Sequence, residues 1–117
     1  MRIAILATTL LLTSLTVHAA HAHAFLDHAE PRVGSTAQAA PKEVTLFFSQ
    51  NIEAAFSSIE VSDANGARVD QGKPKISAST MRIGVKPLSA GTYRVRWKVL
   101  SVDTHTTEGN FGFTVAP

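Results

Sequence analysis

The stretch GTYRVRWKVLSVD, residues 91–103, decides the fold class of this chain. Apolar and basic residues alternate strictly along it, with Tyr93, Val95, Trp97 and Val99 set against Arg94, Arg96 and Lys98. Successive side chains of a β-strand point to opposite faces, so this alternation predicts a strand with one face in a core and one in solvent.

Shorter runs of the same kind flank this strand. VTLFFS (44–49), SSIEVSD (57–63), MRIGVKP (81–87) and NFGFTV (110–115) all read as strands, and Asn65-Gly66 is a hairpin signal after the second of them. No segment keeps a 3.6-residue apolar period over ten residues, although QNIEAAF (50–56) could form one helical turn. The pattern predicts an all-β sandwich or barrel.

Composition limits the chain to one small domain and excludes several functions. It has 117 residues, 44% of them hydrophobic, and no cysteine. Disulfide staples, thiol nucleophiles and thiolate metal sites are therefore excluded. A formal net charge of +2 and 7% aromatics make nucleic acid a poor partner, so the basic residues of 91–103 are interpreted as a solvated strand face.

The N-terminus has the features of a secretory signal peptide. Arg2 precedes an apolar run, Ile3 to Leu15, that is too short and too interrupted by Thr and Ser for a membrane span. Two A-x-A cleavage motifs follow, one ending at Ala22 and one at Ala24. We expect residues 1–22 to be a cleaved signal peptide, residues 23–117 to be one exported domain, and no stable membrane insertion.

Two side chains after the long strand could act together. Asp103 and His105 are two residues apart, so on a continuing strand they would share a face and converge on one point. Asp103 could orient His105 as a general base, but no serine lies in a nucleophile elbow to serve as its nucleophile. Alternatively, the pair could bind a metal together with further ligands. Alone, the motif equally fits a turn-capping Asp beside a surface His.

Cleavage after Ala22 would supply the missing ligands. The mature chain would begin with His23, whose α-amine and ring Nδ1 can chelate one ion, and the amine holds its proton only loosely, with a reference pKa of about 7.7–8.0. With His105 and Asp103 the set would be three nitrogens and one carboxylate oxygen. Such a set suits Cu(II), with zinc as the main competitor.

Four segments carry a family resemblance: HAFLDHAEPRVGS from His23, VTLFFSQNI, GTYRVRWKVLSVDTH and GNFGFTV. Together they resemble the CopC family of bacterial periplasmic copper-binding proteins across residues 23–115. The resemblance implies a small Greek-key β-sandwich or barrel, cupredoxin-like or immunoglobulin-like. It also implies one Cu(II) per chain on His23, Asp103 and His105, a role in copper resistance or homeostasis, and an inner-membrane CopD-type transporter as partner.

Some positions depart from the family pattern. Some members have a methionine-rich Cu(I) site, but Met81 is the one methionine after residue 22, and we interpret it as a core residue. Gln50 stands where some members have Glu, so we assign it at most an indirect role. His28 is expected at the surface, away from the metal.

Two other functions remain open from sequence. A copper enzyme of the N-terminal histidine-brace type would use the same His23, but the Asp103 carboxylate disfavours redox cycling and so favours a binding protein over an enzyme. An immunoglobulin-like interaction module without metal is the other alternative. Cleavage before Phe25 would remove His23 and favour that module.

Overall fold

The computed structural model describes residues 23–117, and the predicted signal peptide lies outside the described residues. Eight strands follow in order, with one 3-10 turn at Ala54–Phe56 between the third and fourth. They are β1 Leu26–Glu30, β2 Thr36–Ala37, β3 Glu43–Phe48, β4 Ser58–Ser62, β5 Asp70–Ser77, β6 Thr80–Val85, β7 Gly91–Leu100 and β8 Thr106–Val115. Within residues 23–117 no helix is long and apolar enough to cross a membrane.

Two four-stranded sheets form the predicted sandwich. The first has the order β1-β3-β6-β5 and the second has the order β2-β8-β7-β4. All pairs are antiparallel except β2 with β8. Strands distant in sequence, such as β3 and β6, lie side by side, so the chain repeatedly crosses between the sheets, as the Greek-key prediction requires.

The alternation of residues 91–100 is realised as predicted. Tyr93, Val95 and Val99 are buried between the sheets, while the three basic residues between them are exposed. Met81 is fully buried, which confirms its assignment to the core. The packed interior removes enough apolar surface from water to stabilise a domain that has no disulfide.

The turn at Asn65-Gly66 forms, but the two strands around it do not form one hairpin. Gly66 has a φ of 83°, and a single bridge joins Ser62 to Arg68 before β5 continues in the other sheet. The carboxylate of Asp70 stabilises the passage of the chain from β4 in one sheet to β5 in the other. Its Oδ1 accepts hydrogen bonds from the Val61 N–H at 2.8 Å and from Arg68 Nε at 2.7 Å. The arginine hydrogen bond is the main reason that the pKa of Asp70 is lowered.

Candidate metal centre

The loop after β7 carries both residues of the D-x-H motif. β7 ends at Leu100, and residues 101–104 make a turn in which the Thr104 N–H donates to the Ser101 carbonyl at 2.9 Å. Thr104 has a φ of 74°, a left-handed conformation that β-branched residues rarely adopt. The expectation that Asp103 and His105 share one face of a continuing strand is therefore wrong. They approach each other because the turn reverses the chain between them.

Ser101 organises this loop from inside the core. Its side chain is fully buried, and its hydroxyl lies within hydrogen-bond reach of the Asp103 carboxylate and of the His105 carbonyl oxygen. The Ser101 N–H also donates to that carbonyl, at 2.9 Å. The hydroxyl contact is the main cause of a lowered pKa at Asp103, and the backbone and imidazole of His105 contribute, so the carboxylate stays ionised at a lower pH than an ordinary aspartate.

The structure brings all three predicted ligands together in a row. His105 Nδ1 lies 3.4 Å from Asp103 Oδ2, an ion-pair distance without the alignment of a hydrogen bond. The ring of His105 also stands edge-on to the ring of His23, with centroids 4.5 Å apart and planes at 85°. Residues separated by about 80 positions in sequence thus meet at one end of the sandwich.

Two polar atoms in this row are buried without a hydrogen-bond partner among the described residues. They are His23 Nδ1 and Asp103 Oδ2. Buried polar atoms are normally paired, and leaving one unpaired costs about 1–3 kcal/mol. An imidazole nitrogen and a carboxylate oxygen without partners, beside a second imidazole, are the donor types that divalent copper and zinc accept.

The side chains alone do not complete a site. No group of three or more His, Asp, Glu or Cys side chains within the described range is already placed to hold a metal ion. In the unprocessed chain the nitrogen of His23 is also committed to the peptide bond with Ala22. A fourth donor, and a small adjustment of the three side chains, are therefore what the arrangement lacks.

Solvent reaches the row from one side. The side chain of His105 is 53% exposed and that of Asp103 is 28% exposed, while His23 is half-buried. An ion held here would keep an open face to an approaching molecule.

The structure places His28 on the outer face of the first sheet. Its ring stacks on Phe47 with centroids 4.1 Å apart, and its Nδ1 lies 2.9 Å from Asp27 Oδ2. The side chain is 56% exposed, which confirms the expectation of a surface residue. Its position is explained by stacking and by its carboxylate neighbour.

Sequence reasoning missed the hydroxyl residues that surround the centre. Ser101 supports Asp103, and Ser49 and Thr107 bind the backbone of residues 23–25. Ser101, two residues before Asp103, was visible in the sequence, but its burial was not. Ser49 and Thr107 lie far from His23 in sequence, so no local pattern connects them.

A family model described as the CopC domain matches residues 26–116. Protein YobA from Escherichia coli K12 is 34% identical over 113 residues, covering 93% of this chain and 91% of that protein. Copper resistance protein C from Escherichia coli is 35% identical over 106 residues, covering 82% and 83%. The crystal structure of CopC from Methylosinus trichosporium OB3b superimposes with a TM-score of 0.76 at 36% identity, covering 81% of this chain and 95% of that one.

Proposed function

The chain belongs to the CopC domain family, and from this we propose that it is a periplasmic Cu(II)-binding protein that carries or sequesters copper without chemical turnover. The relative named copper resistance protein C supports a role in copper homeostasis or resistance. The predicted signal peptide supports export to the periplasm.

The proposed site holds one Cu(II) per chain. Cleavage before His23 frees an α-amine, which chelates together with Nδ1 of the same residue, and His105 and Asp103 supply an imidazole nitrogen and a carboxylate oxygen. The observation that carries the proposal is the buried, unpartnered Nδ1 of His23 beside the other two side chains. It is the ring nitrogen that a chelate with the amine requires.

The proposed donor set favours one oxidation state of copper. Three nitrogens and an anionic oxygen favour Cu(II), whereas Cu(I) prefers sulfur, and the one methionine after residue 22, Met81, is fully buried in the core. Reduction should therefore weaken binding. We propose one-electron reduction by an external donor, such as ascorbate, as one route of release, and handover to an inner-membrane CopD-type transporter through the exposed side of His105 as the other.

The test begins with the intact mass of the exported protein, which should show a chain starting at His23. Titration of that chain with Cu(II), followed by electron paramagnetic resonance and competition with a chelator, should give one tight site with nitrogen hyperfine structure. Acetylation of the His23 α-amine keeps every side chain but converts the amine into an amide and, unlike an extension by Ala22, adds no new amine that could chelate. The affinity of the acetylated chain should fall at least about 100-fold, since losing even an outer partner of a metal ligand costs 10–100-fold.

Histidine substitutions provide the matched controls. His105→Ala should weaken Cu(II) binding as strongly as the blocked amine, while His28→Ala should leave affinity and spectrum unchanged. Tight binding that survives both acetylation of the His23 amine and His105→Ala would refute the proposed site.

The histidine-brace enzyme predicts a different result. A copper oxidase should sustain oxygen consumption when the copper-loaded protein receives ascorbate, and its rate should scale with protein concentration. Reduction of the bound ion by ascorbate consumes no oxygen, so we expect an uptake no greater than that caused by the copper that is released. Sustained turnover above that of free copper would contradict a binding role.

A further inference from the structure

The segment that precedes β1 is held largely by two side-chain hydroxyls. The Ser49 hydroxyl donates to the His23 carbonyl at 3.2 Å and accepts from the Phe25 N–H at 2.9 Å. The Thr107 hydroxyl donates to the Ala24 carbonyl at 2.7 Å. Two hydroxyls therefore bind three consecutive residues, starting at His23.

The two hydroxyls reach this segment from opposite sheets. Ser49 directly follows β3, and its own N–H donates to the Phe25 carbonyl at 2.8 Å, while Thr107 lies in β8. Ala24, between them, is fully buried. The backbone of residues 23–25 is thus fixed between the two layers of the sandwich, although chain termini normally fray.

We infer that Ser49 and Thr107 are positioning residues for copper binding, which fix the backbone of the new N-terminus so that the His23 donors face His105 and Asp103. This inference rests on the proposed function. A free terminal residue must lose backbone and side-chain freedom when it chelates an ion, whereas a held one has already lost it. Neither hydroxyl contacts the ion in this scheme, because each is bonded to backbone atoms.

Thr107 offers the sharper test because two substitutions separate its hydroxyl from its shape. In the chain starting at His23, Thr107→Val keeps the branched side chain and removes the donor, and Thr107→Ser keeps the donor. Thr107→Val should weaken Cu(II) binding about 10-fold, which is the lower end of the loss seen when an outer partner of a metal ligand is removed. It should also broaden or shift the copper hyperfine lines. Thr107→Ser should restore affinity and spectrum. Thr114→Val, the same change at the far end of β8, is the control and should bind like the wild type.

Ser49 is tested in the same way with Ser49→Ala and Ser49→Thr, and we expect loss in the first and retention in the second. Urea unfolding of the metal-free variants identifies a purely structural role. If Thr107→Val and Ser49→Ala lower the midpoint but bind copper with wild-type affinity and spectrum while folded, the inference is overturned. A loss in Thr107→Val that Thr107→Ser does not restore overturns it as well.

A cycle with the blocked amine distinguishes this inference from the proposed site. If positioning acts through the His23 amine, Thr107→Val should have a much smaller effect in the acetylated chain than in the chain with a free His23 amine. Acetylation that leaves wild-type affinity unchanged would refute the proposed function itself. Acetylation that lowers affinity, combined with hydroxyl variants that bind normally, would refute only the positioning roles.

Discussion

Gly109 in β8 is a position where one added methyl group should be costly, because the indole of Trp97 fills the space. A Cβ at residue 109 would lie 2.6 Å from Trp97 Cζ2, 2.9 Å from Cε2 and 3.2 Å from Nε1. Carbon atoms in contact normally stay about 3.5–4.0 Å apart. In Gly109→Ala the indole must therefore retreat by roughly 1 Å, and it packs edge-on against Phe48 with centroids only 5.1 Å apart.

The size of the effect follows from two opposing terms. Forcing extra volume into a packed site costs about 1–3 kcal/mol, and replacing glycine by alanine in a strand recovers about 0.5–1 kcal/mol. We expect Gly109→Ala to lower the free energy of unfolding by about 1–2 kcal/mol, or roughly 5–15 °C in Tm for a domain of this size.

Gly112 in the same strand is the matched control. A Cβ there would meet only the Tyr93 carbonyl oxygen, at 3.4 Å, an ordinary contact. Gly112→Ala should be neutral or stabilising by up to about 1 kcal/mol. Urea unfolding of the metal-free protein, followed by the fluorescence of Trp97, its single tryptophan, measures both variants, and only Gly109→Ala should also shift the emission of the folded state. Equal stability of the two variants would refute the packing argument.

Three further results are expected. Asp70→Asn should lower the free energy of unfolding by about 1–2 kcal/mol at pH 7. This is the value of a hydrogen-bonded ion pair, reduced because the Arg68 side chain is exposed to solvent. Because the pKa of Asp70 is lowered in the folded state, the carboxylate contributes its full stabilisation above the unfolded pKa near 3.9, and this stabilisation is lost as pH falls through the folded pKa. In urea unfolding, the penalty of Asp70→Asn should therefore shrink below pH 4. An equal penalty at pH 7 and pH 2.5 would contradict this. Ser101→Ala should raise the pKa of Asp103 in the metal-free protein toward its ordinary value, and a carboxyl NMR titration without that rise would show that Ser101 does not set it. Thr104→Gly should stabilise the metal-free protein by about 0.5–1 kcal/mol in urea unfolding, since glycine adopts the positive φ without a Cβ clash, and a loss of stability would mean that the threonine side chain makes a compensating contact.

Sequence periodicity predicted five of the eight strands and missed β1, β2 and β5. The strands β7 and β5 show why. In β7 apolar and polar residues alternate between the two faces, so the strand over residues 91–100 could be predicted from the sequence alone. β5, Asp70–Ser77, contains Gly72, Pro74 and two lysines, and a bulge interrupts its pairing with β6. It is an edge strand, where charges and irregularities protect against aggregation and also remove the alternation.

The last strand shows a related limit. NFGFTV predicted a strand over residues 110–115, but β8 begins at Thr106 and pairs with β7 along its whole length. Residues 106–109 contain no large apolar side chain, and their strand conformation comes from the partner strand and from Thr107 bonding the N-terminal segment. Tertiary contacts of this kind leave no periodic signal in the sequence.

The candidate site combines two kinds of information that sequence patterns carry separately. The proposed cleavage after Ala22 would decide whether the His23 amine is free, and the hydroxyls of Ser49 and Thr107 hold residues 23–25 in their place in the fold. A start one residue early would leave the His23 ring in place but turn its amine into an amide, and a start at Phe25 would remove both donors. Because Ala24 is buried and bonded, the segment cannot slide to compensate for either error. The copper site we propose therefore requires the cleavage position and the folded position to agree to a single residue.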